Sequence, residues 1–256
     1  MATPKTLVLR APGTNCDQET VHAFAQAGSD ASALHINRLI EQPQQLDDAQ
    51  ILCIAGGFSY GDDLGAGRVL ATQIRLTLAD RMREFHEQGK LILGICNGFQ
   101  VLVQAGLLLG AADGTHAGAL AFNDSAKFED RWVPLEVASS RCIFLRDIER
   151  MYLPVAHAEG KVVLGSVEQL AELREAQQVA LRYGTGEAET ADYPTNPNGS
   201  TGDIAGICDA TGRILGLMPH PERYVHYTQH PRWTRETLPE HGDGMAVFEN
   251  AVAYFR

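Results

Sequence analysis

The chain is 256 residues long, 45% hydrophobic and 21% charged, with a formal net charge of -11. That length and apolar content allow a sizeable core in one large domain. The acidity argues against a nucleic-acid partner, which needs a basic patch, but leaves room for phosphorylated metabolites held by local positive charge or a helix N-terminus.

The first residues, Met1-Ala2-Thr3-Pro4-Lys5, run straight into an apolar stretch and show no secretory leader. No apolar run is long enough to span a bilayer, so no membrane role is expected. Five cysteines (Cys16, Cys53, Cys96, Cys142, Cys208) are scattered without a CxxC pair. An odd, unpaired set predicts reduced thiols and a cytoplasmic chain. No Cys/His cluster has zinc spacing, so no metal is expected.

In chain order, 6–9 predicts a strand and 17–28 a helix capped by Asn15 or Asp17. Strands follow at 32–36 and 51–55, the latter ending at Gly56-Gly57. Helical periodicity covers 68–88, an apolar strand 91–95 and a helix 97–105. Beyond these, 132–137 and 161–163 read as extended, 184–201 as an exposed loop, and 204–207 and 214–218 as strands around a turn at 209–212. A helix over 245–255 closes the chain. Near-continuous apolar strands between helices predict an α/β fold, a flavodoxin-like, mostly parallel sheet with helices on both faces. No repeat or linker interrupts it, which predicts a single domain over 1–256. Ligands in such sheets sit at the carboxyl ends of the strands, where Gly56-Gly57 and Cys96 both fall.

The strongest local signal is Gly94-Ile95-Cys96-Asn97-Gly98-Phe99-Gln100. A nucleophile on a tight strand-to-helix turn stands clear of the sheet, and small flanking residues permit the close approach this needs. The amides of the new helix favour a thiolate and can stabilise an oxyanion. A buried structural cysteine is the competing reading. A thiolate nucleophile also needs an oriented acid/base. Pro219-His220-Pro221-Glu222 follows the strand at 214–218. Its prolines predict an extended backbone, in which His220 and Glu222 point to the same side. Read alone, the segment is equally a stiff turn with solvated side chains.

Together, the elbow and Met218-Pro219-His220-Pro221-Glu222-Arg223 resemble the class I glutamine amidotransferases. The finer pattern is similar to the glutaminase subunits of phosphoribosylformylglycinamidine synthase, in purine biosynthesis. That match extends to Pro12-Gly13-Thr14-Asn15-Cys16-Asp17, Gly56-Gly57-Phe58-Ser59-Tyr60-Gly61-Asp62, Asn123-Asp124-Ser125-Ala126-Lys127-Phe128-Glu129 and Pro154-Val155-Ala156-His157-Ala158-Glu159-Gly160, with Ala158 where glycine is familiar. The resemblance covers essentially the whole chain.

It implies that Cys96 is the nucleophile, His220 the acid/base and Glu222 its orienting partner. Gly57, Phe58 and the Asn97 amide would form the oxyanion hole, Gln100 would line the glutamine pocket, and Asn123 and Ser125 would lie near the amino-acid end of the substrate. Cys16 would have a structural or substrate-proximal role. With no Gly-xxxx-Gly-Lys-Ser/Thr loop, the chain is expected to carry no cofactor. The resemblance places ATP and Mg on a large synthetase subunit, with a small third subunit in many such systems. The stretch 224–244 is longer than in compact versions, and reads as a surface elaboration or a partner contact. Three rivals stay open: an amidotransferase serving another synthetase, a cysteine hydrolase on a related sheet, and a catalytically idle regulatory subunit.

Overall fold

A computed structural model of the chain describes residues 3–110, 117–186 and 190–256. Strand β1 (Lys5–Arg10) leads into α1 (Asp17–Gln26), β2 (Asp30–His35), α2 (Ile36–Glu41), β3 (Ile51–Ile54), α3 (Arg68–Thr77), α4 (Ala79–Glu87), β4 (Leu91–Ile95) and α5 (Asn97–Gln104). There follow β5 (Gly118–Ala121), β6 (Glu129–Val137), β7 (Arg150–His157), β8 (Lys161–Leu164), α6 (Val167–Glu175), β9 (Val179–Tyr183), β10 (Ile204–Cys208), β11 (Ile214–Leu217) and α7 (Met245–Ala253).

A nine-stranded sheet has the order β2-β1-β3-β4-β11-β10-β9-β6-β7, and β5 pairs with β8 apart from it. From β2 to β11 the pairing is parallel, and from β11 to β7 antiparallel. Every residue of β3, β4 and β11 is buried, as strands covered on both faces must be. The connections β1-α1-β2 and β3-α3-α4-β4 step across the sheet in opposite directions, so right-handed crossovers put their helices on opposite faces. On one face, Phe24 of α1 meets Phe248 of α7 edge to face at 4.9 Å.

The α/β sheet read from the sequence is present, with an antiparallel extension that the reading lacks. The single helix expected over 68–88 is broken at Leu78 (φ -127°, ψ 4°). The strand expected at 32–36 ends at His35, because Ile36 opens α2, whose first turn the His35 side chain caps. Cys16, not Asn15 or Asp17, is the N-cap of α1, and no side chain bonds there. Strands β7 and β9 and helix α6 were not expected. Helix α6 buries no residue fully; Leu170 and Leu173 are only partly covered by the core, so its apolar stripe is short and weak. Among the described residues, 184–200 carries no helix or strand; positions 187–189 lie outside them.

Candidate active site

Cys96 occupies the single position between β4 and α5, with φ 52° and ψ -106°. Side-chain-bearing residues rarely hold positive φ, and such strain persists only where packing enforces it. The Cys96 N–H donates to Leu217 O at 2.8 Å, which ties the elbow to β11. A Cβ on Gly98 would lie 2.0 Å from Ile54 O, and one on Gly94 2.6 Å from Gly98 O. The flanking glycines are therefore the condition for seating α5 directly on β3 and β4. Cys96 itself is 5% exposed.

His220 follows β11, and its N–H donates to Pro154 O of β7 at 2.8 Å. Its Nδ1 lies 2.6 Å from Glu222 Oε1, and both residues are buried. The two meet through a tight 3-10 turn, Pro221–Arg223, rather than the extended segment expected from the prolines. Burial opposes charge on His220. The Glu222 carboxylate, then the Cys96 and Cys16 sulfurs, outweigh it and hold the imidazolium well above the usual histidine range. His220 Nε2 is buried and has no hydrogen-bond partner within the chain.

Gly57, Phe58, Cys96 and Gln100 line one cavity, walled opposite by Ala156, His157, Ala158 and Glu159. Asn97 is packed beside it. Its Oδ1 accepts from Ser59 N at 3.2 Å, and its Nδ2 donates to Asp62 Oδ1 at 3.1 Å and Gln100 Oε1 at 3.0 Å. Gln100 in turn donates to Glu159 O at 2.5 Å, spanning the cavity. The Phe58 amide is already used, donating to Gly13 O at 3.0 Å. Of the two loop residues expected to offer an amide, Gly57 fits better. It stands at φ 138°, and a Cβ there would lie 2.6 Å from Asn15 N.

Asn123 and Ser125 do not line this cavity. Ser125 Oγ donates to Glu129 at 2.7 Å. Asn123 braces the far wall: its Nδ2 donates to the carbonyls of Lys127 at 2.9 Å and His157 at 2.8 Å, and its Oδ1 accepts from Gly160 N at 3.1 Å. With the amide oriented so, His157 Nδ1, 3.1 Å from Oδ1, must be a donor, leaving Nε2 as a buried, unpartnered lone pair. Burial and the charge of His220 push the His157 pKa down to about 3, so the ring is neutral. Sequence reasoning gave His157 no role, although the Pro154–Gly160 motif containing it was a visible signal. Asp62 lines the cavity too, and burial together with Glu159 and Asp63 raises its carboxyl above the usual range, despite hydrogen bonds from Gly67 and Asn97.

Cys16, His220 and Glu222 offer ligand atoms within 4.8 Å of one another. Those atoms are already engaged: Nδ1 by Oε1, and Cys16 Sγ by the Arg223 guanidinium at 3.1 Å, so a metal ion would face a fixed cation. A larger groove of about 650 Å³ between 136–140 and 145–150 contains no cysteine or histidine. The 224–244 stretch is anchored by His230, whose buried ring packs 5.2 Å from Trp132 and 5.5 Å from Tyr224, while Trp233 is exposed.

A strained cysteine facing an imidazole–carboxylate pair, at the carboxyl ends of parallel strands, suits nucleophilic attack on an acyl or amide carbon. The CobB/CobQ-like glutamine amidotransferase domain matches residues 3–255. Phosphoribosylformylglycinamidine synthase subunit PurQ of Dehalococcoides mccartyi is 51% identical over 257 residues, covering 100% of this chain and 99% of that protein. The subunit of the same name from Methanococcus maripaludis is 43% identical, with 98% of each covered. The structure of PurLQS from Thermotoga maritima aligns over 100% of both chains at a TM-score of 0.77 and 33% identity. The chain belongs to the class I glutamine amidotransferase family and, within it, to the PurQ subunits of phosphoribosylformylglycinamidine synthase.

Proposed function

We propose that the chain, acting as one amidotransferase domain, hydrolyses glutamine at Cys96 and hands the ammonia to an ATP-dependent synthetase subunit. The Cys96 sulfur attacks the side-chain amide carbon. The Gly57 and Asn97 amides stabilise the oxyanion, where one donor is typically worth about 3 kcal/mol of barrier. His220, charged, protonates the leaving nitrogen, which departs as ammonia and leaves a glutamyl thioester. Water then attacks the thioester with His220 as base, releasing glutamate and restoring the Cys96 thiolate beside a charged His220. Glu222 holds His220 in the tautomer and orientation that both steps need.

The observation that carries this reading is that Cys96 and the Gly57 loop meet on one cavity while the buried His220–Glu222 pair stands beside that loop, His220 Cε1 lying 3.0 Å from where a Cβ on Gly56 would be and His220 feeling the Cys96 sulfur. ATP and Mg belong on the synthetase, because activation of formylglycinamide ribonucleotide needs a phosphate-binding site of a kind this sequence lacks. The shared name and the likeness to PurLQS support a complex with a large synthetase subunit, and we include a small third subunit. Five free cysteines fit a cytoplasmic setting, and among the described residues no helix is long and apolar enough to cross a membrane.

Mass spectrometry after treatment with a glutamine-mimicking diazoketone, with and without the synthetase, tests the assignment. A single adduct on Cys96, blocked by glutamine, is expected. Cys96→Ala should lose glutamine-dependent synthesis while keeping synthesis from free ammonia. Undiminished glutamine turnover in that variant would exclude Cys96, and no adduct with or without the synthetase would revive the idle-subunit reading.

A further inference from the structure

On the Nδ1 side of His220 lies a group of residues that the triad does not use. Cys16 is completely buried. Its N–H and that of Asn15 donate to Gly56 O at 3.2 and 3.3 Å, beside the loop that carries Gly57. The Cys16 sulfur donates to Asn15 Oδ1 at 3.2 Å and lies 3.9 Å from His220 Nδ1. Arg223 Nη2 donates to the same sulfur at 3.1 Å. Space is tight: a Cβ on Gly56 would come within 3.0 Å of His220 Cε1 and 3.4 Å of Cys16 Sγ.

Charge gives this packing a purpose. A thiolate, an imidazolium and a carboxylate leave one negative charge uncompensated, and Cys96, His220 and Glu222 are all buried. Uncompensated charge in such a site is costly. Among the described residues, the other groups that line the site do not supply a cation. Asp62 and Glu159 on the cavity wall are acids, and His157 is neutral. Burial keeps Tyr183 and Cys53 protonated. Three elements pack against the Pro221–Arg223 turn: on α1 and α7, Asp17 is held by Arg10 at 3.4 Å and Glu249 by His241 at 3.3 Å, and α1 also carries Glu19 and the exposed His22; β7 carries Tyr152, the neutral His157 and, at its exposed far end, Arg150. Arg223 is itself half-buried. Burial disfavours its charge, but Cys16, Glu222 and Cys96 together outweigh that.

We propose that Arg223, anchored by the Cys16 sulfur, is a positioning residue that balances the charge of the active Cys96–His220–Glu222 site and thereby sets the pH range in which Cys96 is nucleophilic. Arg223 follows Glu222 directly, so the turn that brings the carboxylate to His220 also delivers the compensating cation. The inference rests on Cys96 being the nucleophile, as proposed above.

The test is the pH dependence of iodoacetamide alkylation at Cys96, read by peptide mapping on the full chain, alone and with the synthetase. Arg223→Met should move the midpoint of alkylation upward by about one pH unit, the scale on which a nearby opposite charge acts. Arg223→Lys should restore most of the shift, since charge is kept and only the planar guanidinium geometry is lost. Cys16→Ala should move the midpoint the same way by less, and serves alone should the Arg223→Met protein not fold. Rates lowered equally at every pH, with the midpoint unmoved, would make the role purely structural and overturn the proposal. Wild-type Cys96 that resists alkylation throughout would sink the nucleophile assignment itself, and the proposal with it.

Discussion

In the parallel half of the sheet, β3, β4 and β11 are buried along their whole length, whereas β6 and β7, the outer strands of the antiparallel half, leave several positions partly or fully open. The two halves supply different parts of the site. The parallel half holds Cys96 in a strained backbone, with Gly98 pressed on Ile54 and the elbow bonded to Leu217. The antiparallel half supplies the opposite wall, Ala156 to Glu159, which the Asn123 side chain braces from behind. His220 stands at the seam, on the chain leaving β11 but bonded through its backbone to β7. Strain needs packing on both faces to hold it, so the reacting atom sits where the sheet is covered twice. A substrate wall needs only to be shaped, and a half-open sheet suffices. On this division, damage to the first half lowers kcat and damage to the second raises KM.

The seam should give the largest effect. Glu222→Gln keeps the shape of the side chain but removes the carboxylate charge beside His220, and should lower kcat on the order of 10⁴-fold, as loss of the orienting acid does in other triads. Because the folded pKa of His220 is raised, the pair's stabilisation is complete below about pH 6.5, the unfolded value, and is lost as pH rises through the folded one. Thermal melts of the wild type should therefore fall on the alkaline side, and Glu222→Gln should flatten that slope. An unchanged slope would mean that His220 is not held charged.

Gly98→Ala comes next. The added methyl has no room against Ile54 O, so α5 must shift, and a displacement of about 1 Å at the nucleophile can cost roughly 10²-fold in kcat. Steady-state kinetics on folded variant would check this, and an unchanged kcat would show that the elbow is not held by that contact. Asn123→Ala should be the mildest. Loosening the His157–Gly160 wall should raise KM for glutamine about tenfold, the scale of one or two buried hydrogen bonds, with kcat nearly kept. A fall in kcat with KM unmoved would break the division between the halves.

The amino-acid sequence by itself determined the parts that depend on near neighbours. Apolar runs marked β1, β3, β4 and β11 because strands buried on both faces cannot hide their composition. The glycines at 94 and 98 marked the elbow, because a backbone approach that close admits nothing larger. Strand β7 escaped notice because it carries Pro154, and α6 because its few apolar residues are only partly buried. What only the tertiary structure decided are contacts between distant positions. Cys16 meets a histidine 204 residues away. The Phe58 amide is taken by Gly13, and Asn123 braces the far wall of the cavity and fixes the tautomer of His157. Periodicity and motif spacing report what a residue is and which way its own element faces. Which hydrogen bonds its atoms finally make is settled when separate elements pack, because each buried donor and acceptor must then find its partner from whatever the fold has brought within 3 Å or so.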